Sequence, residues 1–342
     1  MKRALTVILS VMMLAFGAVA FAACSDGNDE NDNGGNTSVE VYLPDGTPAL
    51  AMAKAMTEGV NIEGYDVNFH IIAAGNIGTV FTATDANLAI MPTIGAATNF
   101  TKGTEIQLVS TNVFGNLYIV GVNSAVDSLD DLTGKLVYTT AATTIQLLQY
   151  LLDENGITYA TGSEAAAGQV TLYSVPSASD IIPVLKMAET NGTETYGVLG
   201  EPQVTQCKAK VPSAQSVIDF QAEWTDITGF DGYPQASLIV KNDFSAEHGA
   251  FVEAFARALE DNGEWLSSED NIAAFKQALV EYNEAQGEDG YQTSLANLTL
   301  TPATIEGCNL GYQSASEVKD SVRDYIKRLS GTELPDAFFY AV

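Results

Sequence analysis

The sequence predicts an α/β fold in which mostly parallel β-sheets are covered by helices on both faces. Short apolar strands alternate with helical stretches along most of the chain after residue 38. Glycine and proline commonly follow the strands, and hydroxyl residues often open the helices that come next. Because parallel strands need a long crossover connection, usually a helix, this alternation favours parallel pairing in helix-covered sheets.

The first strand–turn–helix unit shows the pattern clearly. Residues 39–43 read VEVYL, which is typical of a strand, and residues 44–46 form a turn. Thr47 is suited to cap the following helix, and Pro48 is suited to its first position. Apolar residues then recur on one helical face until Gly59, where we expect the helix to end.

The same pattern predicts the remaining elements. Further strands are expected at residues 67–72, 88–91, 106–109, 117–122, 136–138, 170–175, 196–199 and 236–240. Further helices are expected from near Thr79, Thr93 and Thr143, and over residues 177–189, 244–262, 269–286 and 316–329. Pro183 should lie in the first turn of its helix, where a missing N–H is tolerated.

The N-terminus has the features of a secretory signal. A positively charged start precedes an apolar run over residues 4–20, and two alanines stand directly before Cys24. An uncleaved membrane anchor is the alternative, because the run is nearly long enough to span a bilayer. A cysteine after two small residues resembles the bacterial lipobox. That resemblance implies that residues 1–23 are removed and that Cys24 carries a lipid.

The segment after Cys24 is predicted to be a flexible tether. Residues 25–38 read SDGNDENDNGGNTS and contain no apolar residue, so they cannot contribute to a core. We therefore expect residues 24–38 to be the lipidated cysteine and tether, and the folded body to begin at Val39. No later segment is long and apolar enough to be predicted as a membrane span.

The charge balance restricts the partners of the chain. Its 15 basic and 43 acidic residues give a net charge of −28, which repels phosphate backbones and excludes nucleic acid as a partner. Such charge also keeps a protein soluble, and we expect a monomer. The chain has two histidines and no C-x-x-C motif, so no metal site and no cofactor are predicted. Cys207 and Cys308 either form a disulfide or remain separate buried thiols.

Several segments, taken in order, resemble a known family. They are PDGTPALAMAKAM, LAIMPTIGAATNF, NLYIVG, DLTGKLVY, GEPQVT, DFQAEW, YPQASLIV and LPDAFFY. Together they resemble the substrate-binding lipoproteins of nitrate, sulfonate and taurine ABC importers, in the NMT1/THI5-like superfamily. The resemblance covers nearly all of residues 39–340.

This resemblance implies a type II periplasmic binding protein, with two α/β lobes joined by two hinge strands. Residues 39–123 and 235–342 would form lobe 1, and residues 124–234 would form lobe 2. Such a protein captures a small polar solute between its lobes and delivers it to an ABC permease in the cytoplasmic membrane. It would be extracytoplasmic, anchored by its lipid, and not an enzyme.

The candidate ligand-binding residues lie at turns expected to face the cleft between the lobes. Open α/β sheets bind ligands at the carboxyl ends of their strands, and helix starts present free N–H groups. Helix capping, turn formation and core packing are the alternative roles. The candidates are Asp45, Gly46, Thr47, Pro48, Gly75, Asn76, Thr79, Thr93, Phe114, Asn116, Tyr118, Thr140, Thr143, Thr144, Glu201 and Tyr233. None is Arg or Lys, which favours a neutral or zwitterionic ligand with a small acceptor group.

Two other functions remain open from the sequence. The first is a structural or adhesive surface lipoprotein that holds no solute. The second is an enzyme like the thiamine-pyrimidine synthases of the same superfamily, although the chain lacks their cysteine cluster. The motifs G-x-S-x-G and H-E-x-x-H and the P-loop are absent, and this favours a binding protein.

Overall fold

A computed structural model describes residues 36–140, 142–288 and 290–341 of the chain. The predicted signal peptide, Cys24 and most of the predicted tether lie outside the described residues. None of the helices within the described ranges has both the length and the apolar character needed to cross a bilayer.

Two six-stranded sheets organise the described residues. In chain order the strands are β1 (Thr37–Pro44), β2 (Tyr65–Ile72), β3 (Leu88–Pro92), β4 (Ile106–Val113), β5 (Leu117–Val122), β6 (Leu136–Thr139), β7 (Tyr159–Thr161), β8 (Val170–Ser174), β9 (Thr195–Gly200), β10 (Gln215–Asp219), β11 (Ala236–Lys241) and β12 (Leu310–Ser314). The first sheet has the order β12-β4-β11-β3-β1-β2, and the second has the order β10-β5-β9-β6-β8-β7. The predicted two-lobed α/β fold is confirmed, with one sheet in each lobe.

Both sheets are mixed rather than mostly parallel. In the first sheet β1 runs parallel to β2 and β3, but β11 is antiparallel to β3 and β4, and β12 is antiparallel to β4. In the second sheet β6, β7, β8 and β9 pair in parallel, whereas β5 is antiparallel to β9 and β10. All the antiparallel pairs except β12–β4 involve β5, through which the chain enters the second lobe, or β11, through which it returns to the first.

Helices cover the sheets. They are α1 (Thr47–Leu50), α2 (Ala53–Glu58), α3 (Val80–Ala83), α4 (Thr93–Thr101), α5 (Ala142–Glu154), α6 (Ala178–Asn191), α7 (Gln203–Lys210), α8 (Phe220–Thr228), α9 (Asn242–Glu247), α10 (Gly249–Arg257), α11 (Asn262–Trp265), α12 (Glu269–Gln286), α13 (Pro302–Glu306) and α14 (Ala315–Ser330). Short 3₁₀ helices occur at Ala74–Thr79, Asp130–Leu132, Ser294–Asn297 and Asp336–Phe338. The predicted bounds are matched at α12 and nearly so at α14.

The chain crosses between the sheets around Gly115 and again just before Gln235. We expected the strand at residues 117–122 to belong to the first lobe. Instead, β5 pairs along its whole length with β9 of the second sheet. Its neighbours β9 and β10 satisfy its backbone hydrogen bonds on both edges, so the first crossing comes before Leu117.

The helix predicted to run from Pro48 to Gly59 is interrupted. A continuous helix would place a hydrogen bond between the N–H of Lys54 and the carbonyl of Leu50. The buried side-chain amide of Asn262 forms hydrogen bonds with both groups instead. Its Oδ1 accepts from Lys54 N at 3.0 Å, and its Nδ2 donates to Leu50 O at 2.9 Å. An inserted side chain therefore separates α1 from α2.

Other helices also differ from expectation. Residues 244–262 form parts of three short helices, α9, α10 and α11, rather than one. Pro183 lies in the second turn of α6, not in the first, and the helix continues past it to Asn191. The missing N–H costs one helical hydrogen bond, but the buried side chains of Ile181, Ile182 and Leu185 hold this turn against the lobe.

Candidate functional site

Residues that follow the strands of one sheet contact residues that follow the strands of the other. The Thr47 hydroxyl, after β1, donates to the carbonyl oxygen of Glu201, after β9, at 2.6 Å. Asn116, at the first crossing, donates from Nδ2 to Thr47 Oγ1 at 2.6 Å and to the Glu201 carbonyl at 2.9 Å. All three residues are buried. We call them the interlobe bridge.

The capping role expected for Thr47 is not observed. Gly46 is the N-cap of α1, with φ of 116°, and no side chain caps the helix. A φ in this range is costly for residues other than glycine, so Gly46 allows the turn that presents Thr47. Because its hydroxyl donates to the other lobe, Thr47 links the lobes rather than capping its own helix.

Further contacts close the same side of the cleft. The Glu201 carboxylate accepts hydrogen bonds from Thr205 N at 3.1 Å and Thr205 Oγ1 at 3.0 Å, at the start of α7. Burial raises the pKa of Glu201, and these bonds partly oppose the increase. Thr304 of α13 donates to Thr205 Oγ1 at 3.2 Å, and Tyr118 donates to the carbonyl of Gly307 at 3.1 Å. Burial raises the pKa of Tyr118 to about 12, so it stays a donor at neutral pH.

An aromatic cluster also joins residues of the two lobes. The rings of Tyr233 and Tyr325 stack with centroids 5.8 Å apart and an interplanar angle of 16°. Trp224 of α8 packs on Tyr325 at 5.4 Å and on Tyr150 of α5 at 5.3 Å. Arg328 of α14 donates to the Tyr150 hydroxyl at 2.7 Å. Helix α14 therefore packs against both lobes.

A small cavity is lined by residues of both lobes, including Tyr233 and Tyr325 of the aromatic cluster, and we call it the cleft cavity. Its volume is about 90 Å³. Its lining comes from strand ends of both lobes and from the helices α1, α4, α5 and α14, and the described lining residues are all uncharged. They are Pro48, Pro92, Ile94, Leu117, Thr143, Thr144, Leu147, Tyr233, Gln235, Ala236 and Tyr325. Four of them, Pro48, Thr143, Thr144 and Tyr233, are among the residues selected from the sequence.

Tyr233 has an unusual environment. Its side chain is fully buried, and its hydroxyl has no hydrogen-bond partner among the described residues. Burial raises the pKa of Tyr233 well above its usual value, so the group remains a protonated donor. The ring packs where a Cβ at Gly115 would lie 2.6 Å from Tyr233 Cε1, so only glycine fits at that crossing.

Gln235 and Tyr325 also line the cleft cavity, but they were not selected from the sequence. Gln235 Oε1 accepts a hydrogen bond from Asn116 N at 2.9 Å. This contact orients the side-chain amide, and its Nε2 remains as the donor end. The position of Gln235, directly before a strand predicted to return to the first lobe, was the signal that could have identified it. Tyr325 falls on the buried face of α14, where helical periodicity by itself indicates core packing.

Two other candidates, Asp45 and Thr93, have their side chains engaged within the first lobe. The Asp45 carboxylate accepts from Tyr291 OH at 3.0 Å, Thr293 Oγ1 at 2.5 Å and Ser294 N at 2.9 Å. Thr93 shares a hydrogen bond of 2.8 Å with Ser237 Oγ. These contacts hold the 291–294 segment and the strand β11, and they favour structural roles for Asp45 and Thr93.

The remaining candidates do not line the cleft cavity. Gly75, Asn76 and Thr79 are exposed in the 3₁₀ helix Ala74–Thr79. The Thr140 carbonyl accepts from Ser174 Oγ at 3.0 Å, which joins the ends of β6 and β8. Ligand contact by these residues stays a prediction.

Phe114 lines a different and larger groove of about 520 Å³, together with Gln221, Asp226, Asp231 and Tyr312. Asp226 and Asp231 are exposed, so this groove is open to solvent beside the hinge. The cleft cavity is smaller but is enclosed by both lobes at the strand ends. We therefore consider the cleft cavity the better candidate for a ligand site.

The two cysteines of the folded body are free and buried. Burial raises the pKa of Cys207 to about 11 and that of Cys308 further. Of the two alternatives left open by the sequence, separate buried thiols are what the structure shows.

Comparison with known proteins identifies the fold. No protein-family model matches the chain, and no curated protein sequence matches it. A solved ABC transporter structure from Parabacteroides distasonis is similar over 90% of this chain and 99% of its own, with 19% identity and a TM-score of 0.69. The periplasmic aliphatic sulphonate-binding protein of Escherichia coli is similar over 88% of this chain and 96% of its own, with 12% identity and a TM-score of 0.59.

A third solved structure is the alkanesulfonate-binding protein of Xanthomonas axonopodis pv. citri bound to MOPS. It is similar over 86% of this chain and 96% of its own, with 15% identity and a TM-score of 0.55. Identities this low establish the fold and not the ligand. The described chain therefore has the two-lobed α/β fold of type II periplasmic binding proteins.

Proposed function

We propose that the protein is an extracytoplasmic solute-binding lipoprotein of an ABC importer. It captures a small polar molecule between its lobes and delivers it to a permease in the cytoplasmic membrane. The observation that carries the proposal is the cleft cavity, because its lining includes Pro48 and Ile94 of one lobe and Thr143 and Leu147 of the other. A solute that contacts both lobes stabilises their closed arrangement.

The comparisons support this role. The solved structures with the same fold include an ABC transporter component and two sulphonate-binding proteins. When the lobes close around the captured solute, they form the surface that the permease recognises. This cycle needs no nucleophile, metal or cofactor, and we propose that the protein works as a monomer without catalytic activity.

Mass spectrometry tests solute capture. The protein is purified without added ligand, and its mass is compared under native and denaturing conditions. We expect a small molecule that is released on denaturation. Ala236→Leu, which fills the cleft cavity, should retain much less solute than Ala273→Leu on the exposed face of α12. Equal retention by the two variants, or no solute and no binding of any metabolite in a thermal-shift panel, would contradict the proposal.

The proposed anchor is tested separately. Cys24 would be acylated, and residues 25–38 would connect the lipid to the folded body at the outer face of the membrane. Cys24→Ser should release the protein into the soluble fraction or block its processing. A variant that stays acylated and membrane-bound would show that the lipid is elsewhere.

A surface lipoprotein with a structural or adhesive role remains the main alternative, and the solute assay distinguishes it, since such a protein would retain no solute. An enzyme is less well supported. The described lining of the cleft cavity consists of prolines, aliphatic residues, threonines, tyrosines and an amide, with no group suited to act as a general base at neutral pH.

A further inference from the structure

Glu201 is a buried acidic residue at a contact between the two lobes. It is 8% exposed, and no other Asp or Glu among the described residues is as deeply buried. Glu201 follows β9 of the second sheet, whereas Gly307 follows α13 in the first lobe. A Cβ at Gly307 would lie 3.0 Å from Glu201 Cγ and 3.6 Å from Glu201 Oε1. The backbone of the first lobe therefore covers part of the Glu201 side chain.

Two hydrogen bonds hold the lobes together around this carboxylate. Thr304 of α13 donates to Thr205 Oγ1 at 3.2 Å, and Tyr118 of β5 donates to the carbonyl of Gly307 at 3.1 Å. Each bond joins a residue of the first lobe to a residue of the second. Separation of the lobes at this contact breaks both bonds and lets water reach the Glu201 carboxylate.

The hydrogen bonds to the carboxylate itself come from its own lobe. Thr205 N donates to Glu201 Oε2 at 3.1 Å, and Thr205 Oγ1 donates to Glu201 Oε1 at 3.0 Å. Lys208 lies farther along the same helix, α7, and its charge lowers the pKa of Glu201. Thr205 and Lys208 stay beside Glu201 whether the lobes are open or closed. Opening and closing therefore change mainly the exposure of the carboxylate to water.

The first lobe supplies no positive charge that compensates for this burial. Among the described residues, Glu201 forms no ion pair, and Lys208 is exposed. The other titratable groups that face Glu201 are Tyr118 and Cys308. Burial raises the pKa of Tyr118 to about 12 and that of Cys308 further, so both are neutral. Closing the lobes over an ionised Glu201 is therefore unfavourable.

A protonated Glu201 fits the same contacts. A hydroxyl group both donates and accepts hydrogen bonds, so the 3.0 Å contact with Thr205 Oγ1 serves either protonation state. Burial raises the pKa of Glu201, and the bonds from Thr205 and the charge of Lys208 oppose the increase. The part of this burial that comes from the first lobe exists only when the lobes are closed. The pKa of Glu201 should therefore be higher in the closed arrangement than in the open one.

We infer that protonation of Glu201 favours closure of the lobes, so that solute capture is coupled to the acidity of the surroundings. This inference rests on the lobe closure of the proposed function. The stabilisation of the closed arrangement is fully present below the pKa of the open form. It is lost as the pH rises through the higher pKa of the closed form. Each unit by which closing raises the pKa changes the closed-to-open ratio by up to about tenfold.

Small-angle X-ray scattering of the full chain in its solute-free form tests the coupling. The radius of gyration is measured between pH 8 and pH 5, and circular dichroism checks at each pH that the protein is folded. We expect the radius of gyration of the wild type to decrease as the pH falls. Glu201→Gln carries no charge at this position at any pH. Its radius of gyration should stay at the small value that the wild type reaches in acid.

Glu189→Gln is the matched control. The Glu189 carboxylate accepts a hydrogen bond from Ser213 N at 2.8 Å within the second lobe. The substitution removes the same charge as Glu201→Gln but leaves the contact between the lobes unchanged. This variant should keep the pH response of the wild type.

The wild-type measurement alone is enough to overturn the inference, if the radius of gyration does not change between pH 8 and pH 5. An equal pH response in Glu201→Gln and the wild type would also overturn it, as would loss of the response in Glu189→Gln. None of these measurements uses a solute. The coupling to pH can therefore fail while the solute assay supports the proposed function. A protein that closes in acid but retains no solute would contradict only the proposed function.

Discussion

The hydroxyl of Thr47 donates a hydrogen bond of 2.6 Å to the carbonyl oxygen of Glu201, which lies 154 residues farther along the chain and in the other lobe. Asn116, at the crossing between the lobes, donates to both partners. The interlobe bridge thus joins the end of β1, the first crossing and the end of β9 at one point. We therefore expect lobe closure to depend on the hydroxyl of Thr47.

We predict that Thr47→Val weakens the closed arrangement. Valine keeps the branched shape but cannot donate to Glu201 or accept from Asn116. The free energy of unfolding should fall by about 0.5–1.5 kcal/mol, and solute affinity should fall about 2- to 13-fold. Denaturant titration and calorimetry measure these changes. Thr101→Val, which removes an exposed bond within α4, should leave solute affinity unchanged, and equal effects of the two variants would contradict the role of the bridge.

Gly115→Ala should disturb the cleft cavity through Tyr233. Gly115 has φ of 91°, and a Cβ there would lie 2.6 Å from Tyr233 Cε1. Gly134 has a similar φ of 82°, but a Cβ there would meet no atom within 4 Å. Gly134→Ala should therefore cost only the conformational penalty of about 1–2 kcal/mol.

Gly115→Ala should cost more than Gly134→Ala in thermal or chemical unfolding, and it alone should weaken solute binding. The comparison removes the shared backbone penalty. The additional loss of unfolding free energy in Gly115→Ala therefore measures the packing of Tyr233 against the crossing. An equal loss of stability in the two variants, with solute affinity preserved in both, would show that the ring of Tyr233 moves aside without consequence.

Glu201 should make stability depend on pH. Burial raises its pKa in the folded protein above the ordinary value of 4.5, so the folded state binds this proton more tightly than the unfolded state. The resulting stabilisation is fully present below about pH 4.5 and is lost as the pH rises through the raised pKa. The stability of the wild type relative to Glu201→Gln should therefore decrease across this window. Parallel stability curves for the two proteins between pH 4 and 8 would contradict this assignment.

The free cysteines give a chemical test of the folded body. Because Cys207 and Cys308 are buried and their pKa values are raised by burial, neither should react with a thiol reagent within minutes in the folded protein. Both should react after unfolding without a reductant. Detection of a disulfide by mass spectrometry of the unreduced protein would contradict the structure at these positions.

Much of the fold was predictable from local sequence patterns. The strands β3 and β5 were expected within one residue of their bounds, because short apolar runs between turn residues are sufficient to identify buried strands. The break between α1 and α2 was not predictable, because its cause is Asn262, whose amide binds Lys54 and Leu50 from more than 200 residues away. The hydrophobic periodicity of residues 48–59 alone does not indicate that a distant side chain is inserted into the helix.

The candidate site was also predictable only in part, because position along the chain selects some of its residues but not the contacts between the lobes. Thr144 and Tyr233 lie near strand ends, where the α/β fold concentrates ligand contacts, so position along the chain was enough to select them. Tyr325 lies on the buried stripe of α14, and helical periodicity cannot tell whether that stripe meets only its own lobe or also the neighbouring one. Thr47 was selected for its position directly after β1, but its cross-lobe contact with Glu201 depends on how the lobes are arranged, and ligand contact by Thr47 stays a prediction.

Small-angle X-ray scattering tests the central claim most directly. The radius of gyration of the solute-free protein is compared with that of the same protein saturated with the solute identified by mass spectrometry. If the solute binds between the lobes and stabilises their closed arrangement, the radius of gyration should decrease on saturation. An unchanged radius of gyration at saturation, in a sample that calorimetry shows to be fully bound, would contradict capture by lobe closure.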